Sequence, residues 1–161
     1  MADNLQNISL TMCTVKAALA AGTTTTYSTT GTTNYCIEGK AFTRAAATNV
    51  ATPTVDIVDG LAFTPTSANQ GSIYVFCYDS GGVLRVAQGE VQALDTVGAF
   101  ITAPQFPIIP DTVCPFAYLV FKGGSTLVGT WTFGTNNLSA VTGATYTFVD
   151  IMMFPDRPQI S

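Results

Sequence analysis

Only 16 of the 161 residues are charged, ten acidic and six basic, and none is histidine, which leaves a formal net charge of −4. A globule of this mass exposes roughly 7,700 Å², or about one charge per 480 Å², whereas an ordinary soluble domain has roughly 25% charged residues. The missing imidazole excludes Ser-His-Asp and Cys-His nucleophiles, histidine metal sites and histidine general bases. The scattered lysines and arginines exclude the cation cluster that nucleic-acid binding requires.

The chain opens with MADNLQNISL, which carries Asp3 and no basic residue. Thr11–Ala21 is apolar, and Ala18-Leu19-Ala20 looks like a cleavage site. Lys16 interrupts the stretch, however, and a basic leader is missing, so it does not read as a signal peptide. Synthesis in a reducing cytosol is therefore expected. Val15, Ala18 and Leu19 share one side of a helical projection, so this stretch is either a short helix or a strand. No run of about 20 apolar residues suggests a membrane span.

Gly22–Thr33 (GTTTTYSTTGTT) is low-complexity, with Tyr27 as its only anchor. Such a segment specifies strand register weakly. It is open to reading as a flexible loop, a solvent-facing edge strand or a strand held between subunits. A glycosylated stalk fits less well, because the tract is short and lacks proline. Thr32–Arg44 predicts a hairpin turning at Glu38-Gly39. Ala45–Asp59 reads as irregular. Gly71–Gln88 predicts the clearest hairpin, with Ile73–Tyr78 against Val83–Gln88 across Asp79-Ser80-Gly81-Gly82.

Thr102–Pro115 holds Pro104, Pro107, Pro110 and Pro115, which argues against a central strand there. Phe116–Phe121 and Leu127–Phe133 flank Lys122-Gly123-Gly124-Ser125 as a third expected hairpin. Thr145–Met153 is apolar on both faces and reads as a central final strand. The tail Phe154–Ser161 (FPDRPQIS) is extended by its prolines, and either lies on a surface such as a neighbouring subunit or frays. These elements predict one all-β domain spanning residues 1–161, an antiparallel β-sandwich or jelly-roll-like fold with at most one short N-terminal helix.

Little chemistry is on offer. Cys13, Cys36, Cys77 and Cys114 form no CxxC pair, which argues against a zinc ribbon. Cys36 and Cys77 read as buried free thiols. Asp56 and Asp59 are three residues apart, but calcium needs six to eight oxygens, so they read as turn residues. Asp150 interrupts an apolar strand and is expected to point outward or to pair with Arg85 or Arg157. No phosphate-binding glycine motif occurs. Trp131 reads as a core anchor, with sugar stacking as the alternative. No cofactor or metal is expected, and no enzymatic activity. The one enzyme class left open is a carboxylate-based glycosidase.

SANQGSIYVF (Ser67–Phe76), APQFP (Ala103–Pro107), PDTVCPFAYLVFK (Pro110–Lys122), GTWTFGTNNL (Gly129–Leu138) and PDRPQIS (Pro155–Ser161) resemble the head-decoration, or cement, proteins of tailed bacteriophages, as does the Thr-rich tract before TTNYCIEGKAFT (Thr32–Thr43). The resemblance implies a β-rich subunit, usually a homotrimer. Such a subunit docks on the outside of an icosahedral capsid and bridges units of the major capsid protein. It implies no active site, no nucleic-acid contact and no membrane contact, and a location on the virion exterior after synthesis in the host cytoplasm. The segments without self-sufficient packing are the expected partner contacts: Thr25 and Tyr27 in the tract, Pro104, Phe106, Pro107 and Pro110 in the proline-rich loop, and Pro155, Arg157, Pro158 and Ile160 in the tail. The alternative is a fibre or receptor-binding component of the virion that presents aromatic residues to glycans.

Overall fold

A computed structural model describes residues 10–160. The opening with Asp3, which bears on the signal-peptide reading, lies outside the described residues, as does Ser161. The described chain is all β. It comprises β1 (Met12–Cys13), β2 (Leu19–Ala21), β3 (Thr26–Thr29), β4 (Thr33–Ile37), β5 (Lys40–Arg44), β6 (Ala47–Ala51), β7 (Gln70–Asp79), β8 (Leu84–Gln88), β9 (Gln92–Ala93), β10 (Val113–Gly123) and β11 (Ala144–Asp150). All pairings between these strands are antiparallel. A five-stranded sheet has the order β11-β10-β7-β8, with β9 also on β7, and two three-stranded sheets run β1-β4-β5 and β2-β3-β6.

Local turn chemistry sets two hairpins where the sequence predicts them. Between β4 and β5, Glu38 and Gly39 both take positive φ, 49° and 78°, the conformation that closes a two-residue hairpin with the right twist. Between β7 and β8, the Asp79 carboxylate accepts the Gly81 and Val83 N–H groups at 2.9 and 3.0 Å, and Gly82 takes φ 73°.

The long strands β7 and β10 are buried on both faces. Alternate residues sort into two cores. Tyr74, Phe76 and Tyr78 of β7 join Phe116, Leu119 and Phe121 of β10 in one core. Ile73, Val75 and Cys77 join Tyr118 and Val120 in the other. In β10 the first core takes even positions up to Phe116 and odd positions from Ala117 onward. A bulge between Pro115 and Ala117 makes this change of phase, because one extra residue flips every later side chain to the other face.

The bulge also corrects an expectation. Pro115 stands inside a central strand, although prolines argue against one there. It is tolerated because β11 pairs with β10 only from Ala117 onward, and bulges admit a residue that has no N–H to give.

One open alternative is decided, and three other expectations are corrected. Residues 11–21 form no helix; they hold β1 and β2. Ala18 takes φ 50°, which a right-handed helix cannot continue, and Thr11, Thr14 and Val15 are β-branched. The supposedly irregular Ala45–Asp59 contains β6. Leu127–Phe133 is not the partner of β10. Gly129 takes φ 77°, and Trp131 instead exchanges backbone hydrogen bonds with Thr66 at 2.8 and 2.9 Å, so β10 turns its far edge to β11. Finally, β11 is an edge strand that stops at Asp150. Tyr146 and Phe148 face the first core, whereas Met152 and Met153 are exposed.

The middle of the threonine tract is an internal strand, flanked by bends at 23–25 and 30–31. β3 lies between β2 and β6, and Tyr27 is fully buried. The hydroxyls complete the sheet at its irregular point: Thr29 Oγ1 accepts the Ala47 N–H and Ser28 Oγ accepts the Asn49 N–H, both at 3.0 Å. Short hydroxyl side chains suit this role because they reach neighbouring backbone donors.

Candidate docking surface

The two faces of the five-stranded sheet are covered differently. The first core draws on both small sheets, through Tyr27 and Ala47 from one and Cys13, Tyr35 and Ile37 from the other, with Phe63, Trp131 and Phe133 from connecting segments. Over the second core no further sheet contributes. Phe100, Phe106 and Ile109 from the loop region and Ile160 from the tail pack there.

Two chain segments remote in sequence therefore meet on one face. Phe106 sets its ring edge-on to Tyr118 at 5.1 Å and tilts against Phe154 at 4.4 Å. The tail is held by two polar contacts. The Gln159 N–H donates to the Tyr118 hydroxyl at 2.7 Å, and Lys122 Nζ donates to the Ile160 carbonyl at 2.9 Å. Lys122 also lies 5.5 Å from the centre of the Phe100 ring. Burial pushes the Tyr118 hydroxyl above the usual tyrosine range, and the Gln159 N–H partly offsets this. The tail thus lies on its own sheet.

Between the segments runs an open groove of about 640 Å³, lined by Pro104, Phe106, Pro107, Phe154, Pro155 and Arg157 among others. Five of the residues expected to meet a partner are thereby brought together. Pro104 is buried beneath the groove, Phe106, Pro107 and Pro155 are half-buried, and Arg157 is exposed. Pro158 and Ile160 are half-buried where the tail continues over the sheet. Pro110 is half-buried in the turn that leads into β10, and its carbonyl accepts the Val113 N–H. Exposed apolar side chains stand nearby in sequence on the same two segments: Ile108 at 86%, Met153 at 68% and Ile101 at 67%.

The tract residues are not part of this groove. Tyr27 lies inside the first core, so its ring offers no surface to a partner. Thr25 is half-buried, and its carbonyl accepts both the N–H and the hydroxyl of Thr52, at 3.1 and 2.9 Å.

Five aspartates, Asp56, Asp59, Asp79, Asp95 and Asp150, accept backbone N–H groups. Asp56 is buried and accepts the Val58 and Gln88 N–H groups at 2.7 and 2.9 Å. Asp59 accepts Leu61 N–H, and Asp95 accepts Val97 and Ala99 N–H. Asp150 pairs with neither Arg85 nor Arg157; it accepts the Leu19 N–H at 3.0 Å and so ties β2 to the end of β11. Arg85 pairs instead with Asp79 at 3.1 Å, an exposed contact worth little. Among the described residues no cluster of His, Cys, Asp or Glu is arranged to hold a metal.

Trp131 is a core anchor. Its ring stacks on Phe121 at 3.9 Å, and its N–H donates to the Asn137 carbonyl at 2.8 Å. At 3% exposure it leaves no face for a sugar. Cys77 is buried as expected, but Cys36 is only half-buried, because alternation along β4 turns it away from the core. All four thiols are free.

Tyr118, Lys122 and Phe154 hold the surface together, and no local pattern marks them out. Tyr118 and Lys122 sit inside an apolar strand, and their role depends on a tail some forty positions away. No family model matches the chain, and no curated protein and no solved structure matches it either.

Proposed function

We propose that this chain is a virion structural protein, a head-decoration subunit that binds the outside of an icosahedral phage capsid and stabilises it by bridging units of the major capsid protein. The observation that carries this reading is the groove where the proline-rich loop and the tail converge, lined mostly by proline and phenylalanine with Asp156 and Arg157 on the tail side, on two segments that also expose Ile101, Ile108 and Met153. The apolar part of such a surface is buried at little desolvation cost, since buried unpaired charges are what make docking expensive. Interface centres are likewise depleted in charge and enriched in aromatic residues. The aspartates held by backbone N–H groups favour a non-catalytic role.

In this reading the five-stranded sheet and the two small sheets over its first face form a sandwich of jelly-roll kind, and the loop-and-tail face turns toward the shell. The subunit acts as a homotrimer, which covers strand edges that would otherwise template aggregation. It is made in the host cytoplasm and needs neither nucleic acid nor membrane. Stabilisation follows from mass action: a subunit that binds the assembled shell better than its parts raises the free energy needed to separate them.

Quantitative mass spectrometry of gradient-purified particles from the source lysate tests the proposal. A copy number comparable to that of the major shell protein is expected. Near absence from the particles refutes it, and a few copies per particle would point to a fibre or tail component. Ile108→Asp places a charge on the exposed apolar rim without touching either core, and should lower the copy number at least tenfold.

A further inference from the structure

The sulfurs of Cys13 and Cys114 lie 3.7 Å apart, and both side chains are completely buried. They are separated by 101 positions in sequence and belong to different sheets, β1-β4-β5 and the five-stranded sheet. The Cys13 N–H donates to the Met152 carbonyl at 2.8 Å. Each thiol also approaches the Pro115 carbonyl at 3.7 Å, beside the bulge of β10.

The other two cysteines are turned elsewhere. Cys77 belongs to the second core and contacts the Val75 carbonyl, and Cys36 faces outward from β4. One pair of thiols, and one only among the described residues, is therefore set for mutual reaction.

We propose that Cys13 and Cys114 form an oxidation-driven covalent clasp: free thiols when the chain folds, and a disulfide once a peroxide reaches them through local opening of the N-terminal strand. The sulfurs need to close from 3.7 Å to about 2.05 Å. β1 pairs with β4 over two residues only, so it is the element whose movement closes this distance. The hydrogen bond shared by the two sulfurs lets either thiol stabilise the thiolate of the other.

One of the two sulfurs, as its thiolate, attacks one peroxide oxygen and the O–O bond breaks, giving a sulfenic acid and hydroxide, which takes up the proton released by the thiol to become water. The other sulfur, losing its proton, then attacks the sulfenic sulfur; the S–O bond breaks and the second oxygen leaves as water. Two thiols and one hydrogen peroxide thus become one disulfide and two waters, with both electrons passing to the peroxide. The product links the N-terminal strand of one sheet to the centre of another.

The test exposes the purified, reduced full-length chain to hydrogen peroxide, then denatures and alkylates it. Alkylatable thiols should fall from four to two, with the loss of two hydrogens from the intact mass and a peptide map joining Cys13 to Cys114. The thermal midpoint should rise by roughly 10 °C, as expected for closing a loop of about 100 residues, and return on reduction. Cys114→Ala should abolish all four changes, whereas Cys77→Ala should keep them. Four thiols remaining after peroxide, a bridge through Cys36 or Cys77, or a bridge between chains would each overturn the proposal. The wild-type peptide map decides the matter even where a cysteine variant fails to fold.

Discussion

Phe116 is the extra residue at the bulge of β10, and truncating it to alanine probes whether that bulge closes the first core. The side chain is fully buried, stacks on Tyr78 at 4.2 Å with an interplanar angle of 10°, and meets Phe76 edge-on at 6.4 Å. Removing such a ring costs about 3–5 kcal/mol, of which the aromatic pairs account for about 0.5–1.5 kcal/mol each. For a chain of this size the thermal midpoint should fall by roughly 6–20 °C. The chain has one tryptophan, and it is buried on Phe121, so its fluorescence in a urea titration reports loss of the same core. Phe154→Ala is the control, because that ring is 37% exposed and its aromatic contact is with Phe106 alone. It should lose about 1 kcal/mol or less. Equal losses for the two variants, or a loss below about 1 kcal/mol for Phe116→Ala, would refute the assignment of Phe116 to the core.

Burial holds Tyr74 protonated, with its pKa pushed up to about 12, and raises the Tyr35, Tyr78 and Tyr118 hydroxyls as well. In the unfolded chain tyrosine ionises near pH 10. The folded state therefore binds more protons above that pH, and stability should hold below about pH 10 and fall as pH rises toward 12. Urea midpoints across this range check it; a midpoint unchanged by pH 11 would contradict the burial of these hydroxyls. Gly143 and Gly39 both take positive φ, 79° and 78°, but an added Cβ meets Leu127 N at 2.5 Å at Gly143 and open space at Gly39. Gly143→Ala should be the more destabilising by about 1–3 kcal/mol, and equal melting points would show that the turn yields. Deleting residues 155–161 removes the Gln159–Tyr118 and Lys122–Ile160 hydrogen bonds, which should cost about 2 kcal/mol and roughly 4–8 °C. An unchanged midpoint in calorimetry would show that the tail is not held by its own sheet.

The sequence by itself determined the all-β class, two hairpins with their turns, and the poverty of reactive groups. Those features are encoded within a few residues: Glu38-Gly39 and Asp79-Ser80-Gly81-Gly82 accept turn dihedrals that few other pairs allow, and a missing histidine is missing everywhere. Pairing over long distances was decided only in three dimensions. Leu127–Phe133 has strand composition but anchors Trp131 and Phe133 in the core, because β11 takes the edge of β10 that a local hairpin would have used. Burial misleads in the same way: Tyr27 looked like an isolated anchor in a polar tract, yet two flanking strands bring it into the core. The loop-and-tail groove and the Cys13–Cys114 pair also lie beyond local reading. Each joins residues that a chain pattern cannot relate, because their proximity follows from sheet order and from the bulge that sets the phase of β10.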